Sequence, residues 1–343
     1  MAVTLNDIAK KANVSPMTVS RVINKSGNVS EETRKKVEEI IKEMNYIPNS
    51  SARYLTSKRS KILSLVITDI TNPFFTKLAR GAEDKAKQMG YRLMLCNSDE
   101  DIEKESDYIT MLISTGVDGV MITPSRDHSR KNLRTLNKHN IPFVLIDRKI
   151  NGIEADAIHG DSKNGTRELL THLIELGHER IAMINGPLDV STARERQEAY
   201  IETLKFHQLP INEEYIFHGQ LTNENISEGI EKLLSIPIEK RPTAIFAVNN
   251  FNAINAIKEL RKHNIRVPED ISIVCFDDLD PIIDLNPFLT VASQPAYDFG
   301  FTGAQMLIER IENTAPKEFR KMVLPPELII RESTSTISKE IST

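Results

Sequence analysis

The sequence predicts two fold classes in one chain: an all-α helix-turn-helix headpiece, and an α/β body of two doubly wound parallel-sheet subdomains. The first sixty residues carry three short amphipathic helical patterns and a basic charge. Behind them, short apolar runs alternate with amphipathic segments, which is typical of parallel strands covered by helices on both faces. The length of 343 residues suits at least two domains.

Composition is that of a soluble globular protein, with 40% hydrophobic and 27% charged residues. No apolar stretch approaches the ~18 residues that span a bilayer. Met1 is followed by a polar, lysine-bearing segment where a signal peptide would be apolar, so we expect a cytoplasmic protein with no membrane partner. Cys96 and Cys275 lie far apart in apolar runs, and we expect buried thiols, with neither a disulfide nor a metal site.

The charge is distributed unevenly along the chain. Residues 1–60 contain 11 Lys and Arg against 6 Asp and Glu, a net charge of +5. The remaining residues contain 33 against 42, a net charge of −9. A basic segment before an acidic body indicates that the N-terminus meets a polyanion such as nucleic acid, with a solvated helix face as the alternative.

The first helix is predicted to begin after Thr4, whose hydroxyl can cap it. Asp7, three residues later, completes a capping-box pattern. One face carries apolar residues at helical spacing: Leu5, Ile8, Ala9 and Ala12.

A second helix is predicted from Pro16 to about Asn24, because Ser15 is a good N-cap and proline loses no hydrogen bond at the first helical position. A third begins after the Ser30 cap. The inward residues are Val19, Val22 and Ile23 of the second helix, and Val37, Ile40, Ile41 and Met44 of the third. Three short helices with a tight turn between the first two predict a helix-turn-helix domain over residues 1–48.

The outward side of the second helix supplies the candidate DNA contacts, because its N-terminal part enters the major groove in such a domain. Arg21 is best placed for a bidentate contact to guanine, and short hydroxyl side chains suit phosphates. A three-helix scaffold that binds a protein is the alternative. The candidates are Thr4, Ser15, Met17, Thr18, Ser20, Arg21, Asn24 and Ser30.

Residues 49–60 are predicted to form a short hinge helix and linker. Nine residues from Asn49 to Ser57 are fewer than the ~12 that an isolated helix needs in water, so we expect order only when a partner holds them. A flexible linker is the alternative.

The body, residues 61–343, is predicted to contain two α/β subdomains, at about 61–160 with 293–322 and about 161–292 with 323–340. The predicted helices lie near 74–90, 100–115, 129–140, 163–177, 191–207, 224–236 and 251–264. The predicted strands are 62–68, 92–97, 119–123, 143–147, 180–185, 243–248, 271–276 and a further run at 289–292.

Polar and aromatic residues follow several of these strands, where open parallel sheets bind ligands. Paired aromatics stack on the C–H face of a sugar ring, and Arg, Asn and Asp match vicinal hydroxyls, so a small neutral polyhydroxylated ligand is expected. Core packing is the alternative for the phenylalanines, surface ion pairs for the arginines, and a turn for Asp277. The candidates are Asp69, Asn72, Phe74, Phe75, Asp147, Arg148, Arg194, Asn249, Asp277 and Gln294.

The run from Thr4 to Asn24, continued through Val29–Arg34 and Asn45–Asn49, resembles the DNA-binding headpiece of the LacI family of bacterial repressors. The body resembles the periplasmic sugar-binding-protein fold of that family. Its ribose-type members are most similar, through Asn72–Phe75, Asp147-Arg148, Ala193–Arg196, Asn249, Asp277 and Gln294.

The resemblance implies a homodimeric repressor that binds a pseudo-palindromic operator in double-stranded DNA. It also implies that Leu55 of the hinge helix inserts into the minor groove, and that a small sugar, ribose or a related one, is the effector. A non-sugar effector or a corepressor protein stays open as the alternative.

The sequence contains none of the common catalytic or nucleotide-binding motifs, such as G-x-S-x-G, G-x-x-x-x-G-K-[ST], G-x-G-x-x-G or H-E-x-x-H. We therefore expect no enzyme activity and no cofactor. A sugar-modifying enzyme with an accessory helical domain, or a sugar-transport receptor, is the remaining alternative class.

Overall fold

The computed structural model describes residues 3–23, 26–46, 59–219, 226–279 and 287–337. The chain divides into two compact units, Met1–Lys61 and Ile62–Thr343. Each is described by itself.

The described residues of the N-terminal unit form three helices, α1 (Leu5–Ala12), α2 (Pro16–Ile23) and α3 (Glu31–Glu43). Thr4 Oγ1 accepts from Asp7 N at 3.3 Å while Asp7 Oδ2 accepts from Thr4 N at 2.9 Å, which is the predicted capping box. The helices bury a common core of Ile8, Ala9, Ala12, Val19, Val22, Val37 and Ile40. The predicted helix-turn-helix arrangement is confirmed.

The larger unit contains twelve strands among its described residues, in two sheets of six. The first sheet holds β1 (Ile62–Ile67), β2 (Arg92–Asn97), β3 (Gly119–Ile122), β4 (Phe143–Ile146), β5 (Asp156–Gly160) and β11 (Lys321–Leu324). The second holds β6 (Ile181–Asn185), β7 (Ile216–His218), β8 (Ala244–Ala247), β9 (Ser272–Phe276), β10 (Thr290–Ser293) and β12 (Glu327–Ile329).

The strand orders are β11-β5-β4-β3-β1-β2 and β12-β10-β9-β8-β6-β7. All described pairings are parallel except that of β10 with β12. Each sheet with its helices forms one lobe, and the predicted pair of doubly wound subdomains is confirmed.

Among the residues that the structure describes, eight helices cover the sheets: α4 (Pro73–Gln88), α5 (Ile102–Thr115), α6 (Arg130–Lys138), α7 (Ser162–Glu175), α8 (Ser191–Phe206), α9 (Ile226–Ser235), α10 (Asn250–Lys262) and α11 (Ala296–Ile311). Helices α4 and α11 approach to backbone contact. A Cβ on Gly81 would lie 2.0 Å from Tyr297 O, and one on Gly300 would lie 1.8 Å from Leu78 O. Only glycine fits at either position.

Three short connections join the two lobes, and each leaves from the edge strand of a sheet or from the strand beside it. Asp161 alone links β5 to α7, Gln294-Pro295 link β10 to α11, and Pro325-Pro326 link β11 to β12. The sequence predicted the changes of lobe near 160, 293 and 322. The last connection lies slightly later because β11 continues to Leu324 beside β5.

Sequence reasoning missed β5, β7, β11, β12 and helix α11. Strand β5 is buried yet contains Asp156, whose carboxylate is held by Arg310 and Arg320 at 2.9 and 3.1 Å. The other three strands have only three or four residues each. Within the part of the chain that the structure describes, no helix is long and apolar enough to cross a membrane, and Cys96 and Cys275 are buried free thiols.

Candidate functional site

Helix α2 presents four predicted DNA-contacting side chains on the outside of the N-terminal unit. Met17 is 63% exposed, Arg21 is exposed, and Thr18 and Ser20 are half-buried. The Arg21 stem lies against Gly27, where a Cβ would meet Arg21 Cδ at 3.2 Å. Asn24 and Leu55 lie outside the described residues.

Three predicted hydroxyl donors serve as helix caps in the structure. Thr4 caps α1, and Ser15 and Ser30 accept from Thr18 N at 3.1 Å and Thr33 N at 3.3 Å. All three residues remain exposed. Phosphate binding by these hydroxyls stays a prediction.

In the larger unit, the carboxyl ends of strands from both sheets face a common cavity. Eight of the ten predicted ligand residues line it: Asp69, Asn72, Phe74, Phe75, Asp147, Arg148, Asn249 and Asp277. Five further residues that were not predicted complete the lining: Thr68, Glu100, Thr192, Arg196 and Phe251.

Equivalent positions of the two lobes supply the buried polar groups. Asp147 and Asp277 directly follow β4 and β9, and both have left-handed backbones with φ of 66° and 68°. Asn72 and Asn249 cap α4 and α10, accepting from Phe74 N at 3.0 Å and Asn252 N at 2.8 Å. The start of a helix and the end of a strand in each lobe therefore aim at the same space.

Phe74 and Phe75 line the cavity and also belong to the core of the first lobe. Their rings pack edge to face with centroids 5.2 Å apart, and Phe74 makes a similar contact with Phe299 at 5.5 Å. Both are only 5% exposed. Core packing and ligand contact are therefore compatible for these residues, because both belong to the core and also line the cavity.

Arg148 is hydrogen-bonded to other groups of the protein. Its Nη1 and Nη2 donate to the two Glu100 carboxylate oxygens at 2.7 and 2.6 Å, and Nη1 also donates to Ser125 O at 2.7 Å. Arg196 lies with its guanidinium carbon 3.7 Å from the centre of the Phe276 ring and donates to Val248 O. Both guanidinium groups are therefore held in place by contacts with other residues of the protein.

Burial changes the acidity of the two strand-end aspartates. It raises the pKa of Asp147 to about 6, although Arg148 and Arg196 oppose the shift. It also raises the pKa of Asp277, against Arg196 and the hydrogen bond from Gln294. Both carboxylates are buried acceptors with incomplete compensation, as in sites that bind a hydrogen-bonding ligand.

Two predicted ligand residues do not line the cavity. Arg194 pairs instead with Asp127 at 3.1 Å and donates to Leu188 O at 2.6 Å. Residues two apart on a helix point to opposite sides, and Arg196 takes the inward position. The buried Tyr200, four residues after Arg196, lies on the same side of α8, and this apolar spacing is the sequence signal for the inward position.

Gln294 does not line the cavity but contacts Asp277, which does. Its Nε2 donates to Asp277 Oδ1 at 2.7 Å, so it orients a lining residue from the connection between β10 and α11. Among the lining residues that sequence reasoning missed, Glu100 lies three residues after the end of β2. Phe251 lies two residues after Asn249, the N-cap of α10.

Several contacts bridge the lobes around the cavity. Asn250 Nδ2 donates to Asn72 Oδ1 at 3.2 Å. Three ion pairs, here called the rim pairs, lie between Arg126 and Asp189 at 3.2 Å, Asp127 and Arg194 at 3.1 Å, and Lys149 and Glu195 at 2.6 Å. The lobes are therefore closed against each other by polar contacts.

A separate group of potential metal ligands lies on α9 and α10: Glu231, Glu259 and His263. Lys262 Nζ already pairs with Glu259 at 2.7 Å. The group shares no residue with the cavity.

Comparison with known proteins gives two matching profiles. Residues 4–49 match bacterial regulatory proteins of the lacI family, and residues 170–334 match a periplasmic binding protein-like domain. The chain is similar to the HTH-type transcriptional repressor PurR of Aliivibrio fischeri, with 36% identity over 96% of this chain and 98% of the relative. It is also similar to the ribose operon repressor of Halalkalibacterium halodurans, with 38% identity over 96% and 97%.

Solved structures extend the likeness to nearly the whole chain. A lac repressor dimer bound to operator and the anti-inducer ONPF has a TM-score of 0.83 and 27% identity, covering 98% of this chain and all of that one. A LacI family transcriptional regulator from Enterococcus faecium with bound ribose has a TM-score of 0.70 and 30% identity, covering 81% and 100%.

Proposed function

The chain belongs to the LacI family of bacterial regulatory proteins and is a DNA-binding transcriptional repressor, and on that premise we propose that a small sugar bound between its lobes controls it. Ribose or a related sugar is the proposed effector. The observation that carries the proposal is the cavity, where carboxylates, two arginines and three phenylalanines meet.

The chemistry of the cavity supports a neutral sugar. A hydroxyl group donates to a carboxylate and accepts from a guanidinium, so vicinal hydroxyls match neighbouring Asp147 and Arg148. The rings of Phe74 and Phe75 offer an apolar wall for the C–H face of a sugar. The ribose bound by the Enterococcus faecium regulator supports the same ligand. A non-sugar effector is the alternative, since the relatives include PurR as well as a ribose operon repressor.

For the operator, we propose that α2 enters the major groove. The outward row of Met17, Thr18, Ser20 and Arg21, in which Met17 and Arg21 are exposed, supports this role. Asn24 and Leu55 belong to the same proposal, with Leu55 in the minor groove. A second copy of the chain supplies the other half-site, as expected for a homodimer on a pseudo-palindrome.

Effector binding and operator binding are reciprocally linked in this proposal. A ligand that changes operator affinity by some factor has its own affinity changed by the same factor when operator is bound. The ribose-type resemblance favours release of DNA by the sugar. A corepressor would instead tighten binding.

The test is a selection of bound sites from random duplex DNA with the purified full-length chain. The bound pool is then eluted with ribose, glucose, inositol or buffer alone. We expect a pseudo-palindrome that ribose releases and the other additions do not. A palindrome indifferent to ribose would remove the effector assignment, and the absence of any enriched site would remove operator recognition by α2.

A matched pair of variants separates base reading from general electrostatics. Arg21→Ala should abolish discrimination between the selected site and scrambled DNA, because it removes a bidentate base contact. Lys36→Ala on α3 loses the same charge and should weaken binding to both DNAs equally. Equal behaviour of the two variants in a competition titration would place base recognition elsewhere.

A further inference from the structure

The charges around the cavity are unbalanced. Four carboxylates line it, those of Asp69, Glu100, Asp147 and Asp277, against the two guanidiniums of Arg148 and Arg196. We infer that Glu100 is a specificity residue: it occupies the hydrogen-bonding fork of Arg148, so the site accepts an uncharged sugar and rejects its phosphorylated or carboxylated forms. The inference rests on the proposed function for the sugar, but its anion-rejecting part does not.

The fork of Arg148 is the group that a phosphate or carboxylate would need. Guanidinium binds such anions through two parallel N–H donors. Here both terminal nitrogens already donate to Glu100, and Nη1 also donates to Ser125 O and Pro124 O. An anionic ligand must displace the Glu100 carboxylate, whose side chain is only 12% exposed. The displaced buried charge would lose its partner, which is costly.

The backbone holds Glu100 in this position. Asp99 and Glu100 both adopt left-handed conformations, with φ of 54° and 58°. Such conformations are unfavourable for residues with a Cβ and persist where surrounding contacts impose them. The following residue, Asp101, caps α5 and accepts a hydrogen bond from Glu103 N at 2.7 Å, which fixes the backbone just after Glu100. Glu100 is therefore a built part of the cavity wall.

A second buried carboxylate lies behind the Arg148–Glu100 pair. Glu105 is fully buried and accepts from Ser125 N at 2.8 Å, from Ser129 Oγ at 2.9 Å and from Asn132 Nδ2 at 2.9 Å. Ser125 thus binds Arg148 through its carbonyl and Glu105 through its amide. The arginine has acidic groups on two sides, and the positive charge that an anion would need is already compensated.

Uncharged hydroxyl groups suit the remaining polar atoms. Within the described ranges, three buried atoms of lining residues have no hydrogen-bond partner: Thr68 Oγ1, Arg148 Nε and Arg196 Nε. Buried donors of this kind call for an acceptor. The carboxylates of Asp147 and Asp277 call for donors. A hydroxyl satisfies both needs, whereas a phosphate adds negative charge beside four acids.

Calorimetric titration of the full-length chain tests the inference. The probes are ribose, ribose 5-phosphate and inorganic phosphate. The variant is Glu100→Gly, because glycine suits a φ of 58° and vacates the carboxylate position. Glu103→Gln, on the exposed side of α5, is the control with the same loss of charge. Glu100→Gln provides a second variant of nearly native size.

The wild type and the control should bind ribose at least tenfold more tightly than ribose 5-phosphate, and should show no measurable binding of inorganic phosphate. Glu100→Gly should gain at least tenfold in affinity for both anions, and Glu100→Gln should gain in the same direction. Unchanged anion affinity in both Glu100 variants would overturn the inference, as would a wild type that binds both sugars equally well.

The result also distinguishes this inference from the sugar assignment. If no protein binds ribose but inorganic phosphate binds the Glu100 variants alone, the sugar assignment fails and the role of Glu100 stands. If ribose binds and the variants gain no anion affinity, the sugar assignment stands and the role of Glu100 fails.

Discussion

Gly160 ends β5 beside the connection that carries Gln294, and an alanine there should disturb the cavity from behind. A Cβ on Gly160 would lie 1.7 Å from Gln294 Oε1, so the amide must move. Its Nε2 would then lose the 2.7 Å hydrogen bond to the buried Asp277 carboxylate. A hydrogen bond to a charged group contributes about 1.5–3 kcal/mol. Alanine recovers about 0.4–1 kcal/mol by restricting the unfolded chain.

We therefore expect Gly160→Ala to lower the free energy of unfolding by about 1–2 kcal/mol, taking the difference of these contributions. For a domain of this size that is a fall of roughly 2–8 °C in melting temperature. Circular dichroism of the full-length chain on heating measures it. The same variant should bind the effector more weakly, because Asp277 loses its orienting partner.

A double-mutant cycle with Gln294→Ala decides whether the proposed contact is the cause. Gln294→Ala loses the same hydrogen bond and leaves space for the new methyl group. The double variant should therefore be no less stable than Gln294→Ala alone. Losses that add up across the two substitutions would refute the reasoning.

Three further predictions concern the cavity and its rim. Arg196→Ala should lower effector affinity at least tenfold, and Arg194→Ala less than threefold, by calorimetric titration; the reverse order would restore Arg194 as the ligand residue. Burial raises the pKa of Asp147 from 3.8 to about 6, so its contribution to stability is complete below pH 4 and is lost as the pH rises to 6. Asp147→Asn should consequently raise the melting temperature more at pH 7.5 than at pH 4, and equal increments would contradict that pKa. Asp127→Asn should weaken effector binding less than fivefold, and only at low salt, because the rim pairs are about one-third exposed; a loss that persists in 1 M salt would argue against a screened ion pair.

Most of the residues that line the cavity could be predicted from sequence, because ligands bind beyond the carboxyl ends of parallel strands and these residues come shortly after apolar runs. Asp147 and Asp277 are the clearest cases. Glu100 escaped because it lies among acidic neighbours in a segment that resembles a solvated loop with a helix cap. Only the tertiary position of Arg148, 48 residues later, buries it. Distant pairing of this kind leaves no local pattern.

Helix α11 shows a different limit of sequence reasoning. Gly300 and Gly303 weaken the helical pattern by propensity alone. In the fold, Gly300 is required because α4 passes at backbone distance, and the close packing outweighs the poor propensity. The difference between Arg194 and Arg196 has a simpler origin: the helical period of α8 places Arg196, and not Arg194, on the side of the buried Tyr200. That signal was present in the sequence.

The three lobe connections leave from the two outermost strands at one side of each sheet, the edge strand β11 with its neighbour β5 in one sheet and the edge strand β12 with its neighbour β10 in the other. None exceeds two residues, and two of them contain proline, whose φ is fixed. Connections this short and stiff resist sliding and separation of the two lobes. They permit rotation of one lobe relative to the other about the side of the sheets where the connections lie. Closure of the two lobes on a ligand would then be described by a single rotation angle. In such a rotation β2 and β7, at the opposite edges of the two sheets, would travel farthest.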